Sequence, residues 1–447
     1  MRFPKLSIAL ATLTAIACTS LSPVSLSAAS SANGKQSSRG SVVSGTRNAM
    51  SERKSHESSA QSALSSQLSH ELSATGSQSG AYAYDLTTST PLFAERAEVT
   101  RAPASVEKLY TSTAALELMG PTATLATTVL GTGHLTANGV WDGNLYLRGG
   151  GDPTFGSASF IDSHYYGQGA SVSTLAEQLV KTDGIRSVTG TIDGDESYLD
   201  SLRGEPSSDY QFDPYLEGVL SGLSFNRGET GSEKGPHAPA EYAALQLRGA
   251  LRAEGDTVHG GGAASTPAGA TLLATAASPP LSTLLGLMLP PSDNFFAETL
   301  VKDLGVRYGS TGTTAAGAAV VRSTLASHFG LYPSVVDGSG LSRSDHTSPE
   351  QIVTLLSDLS RTPLGTTLRK DLAVAGENGT LSERMRGTPA AGHCQAKTGT
   401  LTGASNLAGY CQAANGNIIA FAIFNDGIAT ETAHAVQDRM TVTLAGY

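Results

Sequence analysis

Charge is scarce in this chain. Only 15% of its 447 residues are Asp, Glu, Lys or Arg, and 39 acids against 29 bases leave a formal net charge of −10. A broad basic surface for nucleic acid is therefore excluded. Cysteine is scarcer still, at three, and neither these nor the ten histidines form a CxxC pair, an HExxH or a His-rich tract. No metal site and no cofactor is expected. No internal repeat is evident. The apolar run at the start, Leu6 to Cys18, is too short to span a bilayer comfortably. What the chain has instead is length for more than one folded unit, 39% hydrophobic residues and 50 Gly, enough for a sizeable core and too apolar for disorder throughout.

The first residues read as an address. Arg2 and Lys5 precede the apolar run, and Ser27-Ala28-Ala29 offers small residues for cleavage, so residues 1–29 are expected to be a secretory signal peptide. Ala15-Ile16-Ala17-Cys18 has the outline of a lipoprotein box but carries Ala where Leu is usual. A lipid anchor at Cys18 is not expected. Residues 30–62, mostly Ser, Gly, Ala and isolated charges, read as a flexible leader. Loss of Cys18 with the signal leaves Cys394 and Cys411, and an even count in an exported chain suggests one disulfide. A hairpin centred between Thr402 and Gly403 would set the two opposite each other. Two free buried cysteines would look the same in sequence, and both readings stay open.

Gly80 to Leu86 alternates like a strand, turned by Ser89-Thr90-Pro91 toward a second strand at Leu92 to Ala94. Pro103 starts, and Gly120-Pro121 stops, a helix over Ser105 to Met119. From Leu125 to Ala268 short alternating runs between Gly-rich turns suggest an α+β module of its own. Helical periodicity returns at Leu281–Leu289, Phe295–Leu304 and Gly312–Phe329. The C-terminal part reads strand (395–401), strand (406–412), an Asn415-Gly416 hairpin turn, strand (418–424) and helix (430–444).

Three motifs fall in order along this framework: Ser105-Val-Glu-Lys108, Ser292-Asp-Asn294 and Lys397-Thr-Gly399. A serine hydroxyl needs a base within reach, and positions i and i+3 share a helix face, so Lys108 approaches Ser105. Unpaired N–H groups in the first helical turn favour developing negative charge there. Lys108 is a base only when neutral, which requires burial or a second cation, for which Lys397 is the candidate. Ser292 and Asn294, at the mouth of another helix, would relay a proton and hold an amide. Thr398 and Thr400, on a strand edge, would bind a carboxylate, with the N–H groups of Ser105 and Thr400 as oxyanion hole. Each motif alone is weak: Ser51-Glu-Arg-Lys54 also matches SxxK, and Ser31-Ala-Asn33 and Ser224-Phe-Asn226 also match SxN. Order and element context give the triple its force.

With Ala102 to Tyr110, Ser292 to Glu298, Asp337-Gly-Ser-Gly-Leu-Ser-Arg343 and Ala396 to Leu401, and with Gly150-Gly-Asp-Pro153 and Gly190 to Asp195 between, the chain from Gly80 onward resembles the D-alanyl-D-alanine carboxypeptidase/endopeptidase family, the low-molecular-mass class C penicillin-binding proteins. The resemblance implies an α/β–α+β multidomain chain: a penicillin-binding transpeptidase-like (serine β-lactamase-like) domain, with an antiparallel sheet flanked by helices, in two parts (63–124 and 269–447) around an inserted α+β module (125–268). It implies an exported serine-type enzyme acting on peptidoglycan stem peptides ending in D-Ala-D-Ala, with β-lactam antibiotics as inhibitors. By the same resemblance Ser105 is the nucleophile, Lys108 its base, Ser292 and Asn294 the second motif, and Lys397, Thr398, Gly399 and Thr400 the substrate-binding third. The Asp337–Arg343 loop reads as structural, and the insert as a separable module that serves polymer recognition rather than bond breaking.

A β-lactamase shares these motifs, but 187 residues separate Ser105 from Ser292, and the one Glu-Pro, Glu205-Pro206, precedes the SxN and lacks a following Asn. A non-catalytic cell-wall binder is expected to lack the base, and Lys108 is present.

Overall fold

Every second residue of the strand Ile418–Asp426 is large on one side and small or aromatic on the other, and that period of two sets the architecture. The computed structural model describes residues 58–228 and 238–447. The signal segment, Cys18, Ser51-Glu-Arg-Lys54 and the leader up to residue 57 lie outside the described residues.

The main sheet contains β1 (Gly80–Asp85), β2 (Thr90–Glu95), β8 (Ala373–Val374), β9 (Cys394–Leu401), β10 (Ala404–Gln412) and β11 (Ile418–Asp426), in the order β2-β1-β11-β10-β9-β8. All its pairings are antiparallel. On β11, Ala420, Ala422 and Phe424 face one core, while Ile419, Phe421 and Ile423 face another. Both faces are therefore covered, which accounts for a central strand without polar alternation. One face carries α1 (residues 58–73) and α11 (Thr430–Gly446). Leu64, Leu68 and Leu72, one helical turn apart, meet Val436, Met440 and Leu444 there. The last stretch expected of the leader, 58–62, is thus helical: its serines mask the leucine stripe that follows.

The other face is packed by α2 (Lys108–Met119), α6 (Leu281–Met288), α7 (Asn294–Tyr308), α8 (Thr314–Phe329), α9 (Pro349–Leu359) and α10 (Pro363–Lys370). The segment expected as one helix from Ser105 begins as a 3-10 turn, Ala104–Glu107, before α2. Gly120, at φ 82°, ends α2.

The second sheet comprises β3 (Ala126–Leu135), β4 (Val140–Arg148), β5 (Ser187–Val188), β6 (Ile192–Asp195) and β7 (Thr271–Ala277). With α4 (Val172–Glu177) and α5 (Pro239–Ala253) against it, it has its own core of Leu145, Leu147, Phe155, Leu175, Phe225, Leu247 and Leu251, whereas α3 (Ala158–Tyr165) buries Ile161 and Tyr165 in the main core. Strand β7 lies past residue 268, where the insert was expected to end, because it completes this sheet by pairing with β3. Among the described residues no helix is long and apolar enough to cross a membrane.

Candidate active site

Ser105 sits in the 3-10 turn and Lys108 opens α2, so the three-residue spacing brings Lys108 Nζ to 2.9 Å from Ser105 Oγ. Lys108 is fully buried. Its other two bonds run to Asn294 Oδ1 at 2.6 Å and to the Ser339 carbonyl at 2.9 Å. These two partners only accept. A neutral amine that donates its two N–H groups to them is left with its lone pair toward Ser105 Oγ, the one partner able to supply a proton. Asn294 is itself held in this orientation, because its Nδ2 donates to the Tyr215 carbonyl at 2.7 Å.

Burial lowers the Lys108 ammonium from its ordinary 10.5 to about 8, against the opposing pull of Asp337, Glu298, Asp293 and Glu107. The second-cation effect expected of Lys397 is not the leading cause. Lys397 is itself buried and pushed well below the ordinary lysine range, first by burial and then by the Lys108 charge. Its Nζ donates to Ser292 Oγ and to the Thr398 carbonyl, each at 2.8 Å. The fold thus joins all three motifs in two short chains, Ser105–Lys108–Asn294 and Ser292–Lys397.

The turn ahead of α7 is unusual backbone. Ser292 has φ 68°, a left-handed conformation that costs a non-glycine residue about 1–3 kcal/mol. Asp293 next to it caps α7 by accepting the Phe296 N–H at 3.0 Å and pairs with Arg227 through both carboxylate oxygens, at 2.5 and 3.1 Å. Arg227 and Tyr215 belong to the segment expected as a separable module. The insert therefore braces two neighbouring residues of the second motif, Asp293 through Arg227 and Asn294 through the Tyr215 carbonyl.

Strand β9 supplies the third motif. β8 covers only its start, Ala373 opposite Ala396 and Val374 opposite Gln395, so among the described residues the edge from Lys397 on has no strand beside it. A Cβ on Gly399 would lie 2.5 Å from the Pro103 carbonyl oxygen and 3.0 Å from the Ser105 nitrogen. Glycine here lets β9 run against the turn that carries Ser105. Thr398 donates to Thr380 Oγ1 at 2.8 Å, and Thr400 is exposed. Three residues before Lys397, Cys394 lies opposite Cys411 in the β9–β10 register, and the two are joined as a disulfide.

Several contributors were not among the expected site residues. The Ser339 and Tyr215 contacts are backbone carbonyls, for which side-chain identity gives no signal, and the 337–343 loop read as structural touches Lys108 directly. Glu298 was readable in principle, as an acid one turn after Asn294 in an otherwise apolar helix start.

Comparison with known proteins agrees. The model of the D-Ala-D-Ala carboxypeptidase 3 (S13) family matches residues 60–215 and 229–447. A D-alanyl-D-alanine carboxypeptidase from Actinomadura sp. (strain R39) is 30% identical over 81% of this chain and 80% of that protein. Carboxypeptidase DacB from Mycolicibacterium smegmatis is also 30% identical, over 80% and 78%. The crystal structure of penicillin binding protein 4 (dacB) from Haemophilus influenzae shares the fold, with a TM-score of 0.70 over 85% of this chain and 99% of that one, at 22% identity. The chain belongs to the D-Ala-D-Ala carboxypeptidase 3 (S13) family of serine-type hydrolases.

Proposed function

We propose that this chain is an exported D-alanyl-D-alanine carboxypeptidase, with endopeptidase action on crosslinks, that works on peptidoglycan stem peptides through an ester on Ser105 and is acylated by penicillin. The observation that carries the reading is the three-way seat of Lys108, with two acceptors and one hydroxyl. Neutral Lys108 takes the Ser105 proton as Oγ bonds to the carbonyl carbon of the penultimate D-Ala. The N–H groups of Ser105 and Thr400 receive the oxyanion. The C–N bond then breaks, and the departing amine takes up, through Ser292, the proton that Lys108 received, which leaves Lys108 neutral again. Water, activated by the same lysine, releases the acyl group and frees Ser105. The uncovered edge of β9 suits an extended peptide laid on as an added strand, its terminal carboxylate beside Lys397, Thr398 and Thr400.

Glu205 does not resemble a deacylating base, because its two carboxylate oxygens are taken by the N–H and hydroxyl of Ser207 at 2.5 and 2.8 Å. A penicilloyl ester should therefore persist while D-Ala-terminated peptides turn over. The test is mass spectrometry of the penicillin-treated protein: the adduct belongs on the peptide containing Ser105, and Ser105→Ala should abolish it. Label on Ser292, or rapid penicillin hydrolysis with no adduct, would refute the reading.

A further inference from the structure

Along α7, Asn294 and Glu298 are four residues apart and share a face. Asn294 touches the base directly, and Glu298 reaches it through the backbone. Glu298 is fully buried. Its Oε1 accepts the N–H groups of Gly338 and Ser339, at 2.9 and 2.8 Å, and these belong to the turn whose Ser339 carbonyl takes the Lys108 Nζ bond at 2.9 Å. Asp337 secures the same turn from the other side, accepting from Ser339 at 3.1 Å, Gly340 at 2.6 Å and Ser342 at 2.7 Å. The turn cannot move in the other direction either. A Cβ on Gly340 would lie 2.0 Å from the Ala104 carbonyl oxygen, so the loop already abuts the residue before the nucleophile.

We propose that Glu298 is a positioning residue: by holding two adjacent N–H groups of the 338–339 turn, its carboxyl aims the Ser339 carbonyl at Lys108 and thereby keeps the lysine lone pair on Ser105. This rests on the reading of Ser105 as nucleophile and Lys108 as base.

The acceptor does not need a charge to do this. Burial, and then the charge of Asp337, push the Glu298 carboxyl up to about 8. At neutral pH it is mainly a neutral acid whose carbonyl oxygen receives the two N–H groups, and glutamine reproduces that. As it ionises at higher pH, its charge opposes proton loss from Lys108. The other groups facing Lys108 are Glu107 on the preceding turn, Asp293 ahead of α7, Asp337 in the loop and Lys397 on β9. Those facing Glu298 are Asp337, Glu205 of the insert and Lys302 one turn further along α7.

The experiment uses the full chain with Glu298→Gln and Glu298→Ala, and follows the saturating rate of acylation by benzylpenicillin from about pH 6 to about 10, beside thermal melts. Glu298→Ala should slow the saturating step by about 10-fold or more, with little change in the half-saturating concentration, because a displaced base costs rate rather than binding. Glu298→Gln should restore the rate to within about 3-fold and move the midpoint of its rise with pH toward acid, since the charge that retains the Lys108 proton is gone. A folded Glu298→Ala variant at the wild-type rate overturns the proposal, as does a Gln variant as slow as the Ala one. If the Ala variant does not fold, Glu298→Asp, whose carboxyl stops one methylene short of the two N–H groups, takes its place, and a folded Asp variant at the wild-type rate overturns the proposal. A wild-type chain that takes no penicilloyl label sinks the underlying reading instead, so the two failures are distinguishable.

Discussion

Replacing Gly399 by alanine tests whether the closeness of β9 to the nucleophile turn matters for chemistry. The added Cβ would stand 2.5 Å from the Pro103 oxygen and 3.0 Å from the nitrogens of Ser105 and Val106. All three are backbone atoms, so no side chain can swing aside. Restoring ordinary contact at 3.4 Å requires β9 and the turn to part by about 0.9 Å. Such overpacking costs about 1–3 kcal/mol of stability, which a chain of this size survives. The effect on rate is larger. A shift near 1 Å costs about 100-fold through misorientation, and loss of one oxyanion donor costs about 100- to 1,000-fold, or about 2.7–4 kcal/mol. Gly399→Ala should therefore remain folded by circular dichroism while its acylation by a fluorescent penicillin falls by at least about 100-fold. The control is Gly249→Ala on α5, where a new Cβ meets nothing within 4 Å; it should label normally. A folded Gly399→Ala protein labelling within about 3-fold of wild type would refute the steric argument.

Two further outcomes are expected. Because the Lys108 ammonium is lowered to about 8, its neutral fraction, and with it peptide turnover, should rise roughly tenfold per pH unit below that value and level off above it; a rate flat from about pH 6 to about 9 would exclude Lys108 as the base. Arg227→Met leaves Asp293 buried without its cation and should cost about 3–5 kcal/mol in urea unfolding, with most of the loss recovered by adding Asp293→Asn. A single variant within about 1 kcal/mol of wild type would show the pair to be dispensable.

The motif residues were legible because their chemistry demands particular side chains at short spacings: a hydroxyl and an amine three apart on a helix, a glycine where a strand must pass close. The strands of the C-terminal hairpins were legible from alternation and from Asn415-Gly416, where Gly416 takes φ 87°. What escaped at the site was of two kinds. Ser339 and Tyr215 act through carbonyl oxygens, which every residue possesses. Arg227 acts on Asp293 across 66 residues, and nothing local in either segment names the other. The helix over residues 58–73 escaped because serine dominates its composition, although Leu64, Leu68 and Leu72 repeat at four-residue intervals and become buried. The insert reads as independent because its sheet has a core of its own, and core independence does not reveal which loops project onto a neighbour.

The strand order also bears on when the protein becomes chemically competent during its synthesis. Strand β1 and the nucleophile turn emerge early, yet β1 pairs with β11, Gly80 opposite Phe424, and the turn is braced by Asn406 of β10, whose Nδ2 donates to the Ala102 carbonyl at 2.9 Å. The lysine's acceptors at Asn294 and Ser339 arrive in between. Pairings of such long range close late in folding. An incomplete chain therefore lacks the contacts that brace the Ser105 turn, and on the proposed function Ser105 gains its reactivity only when the last strands have closed over it.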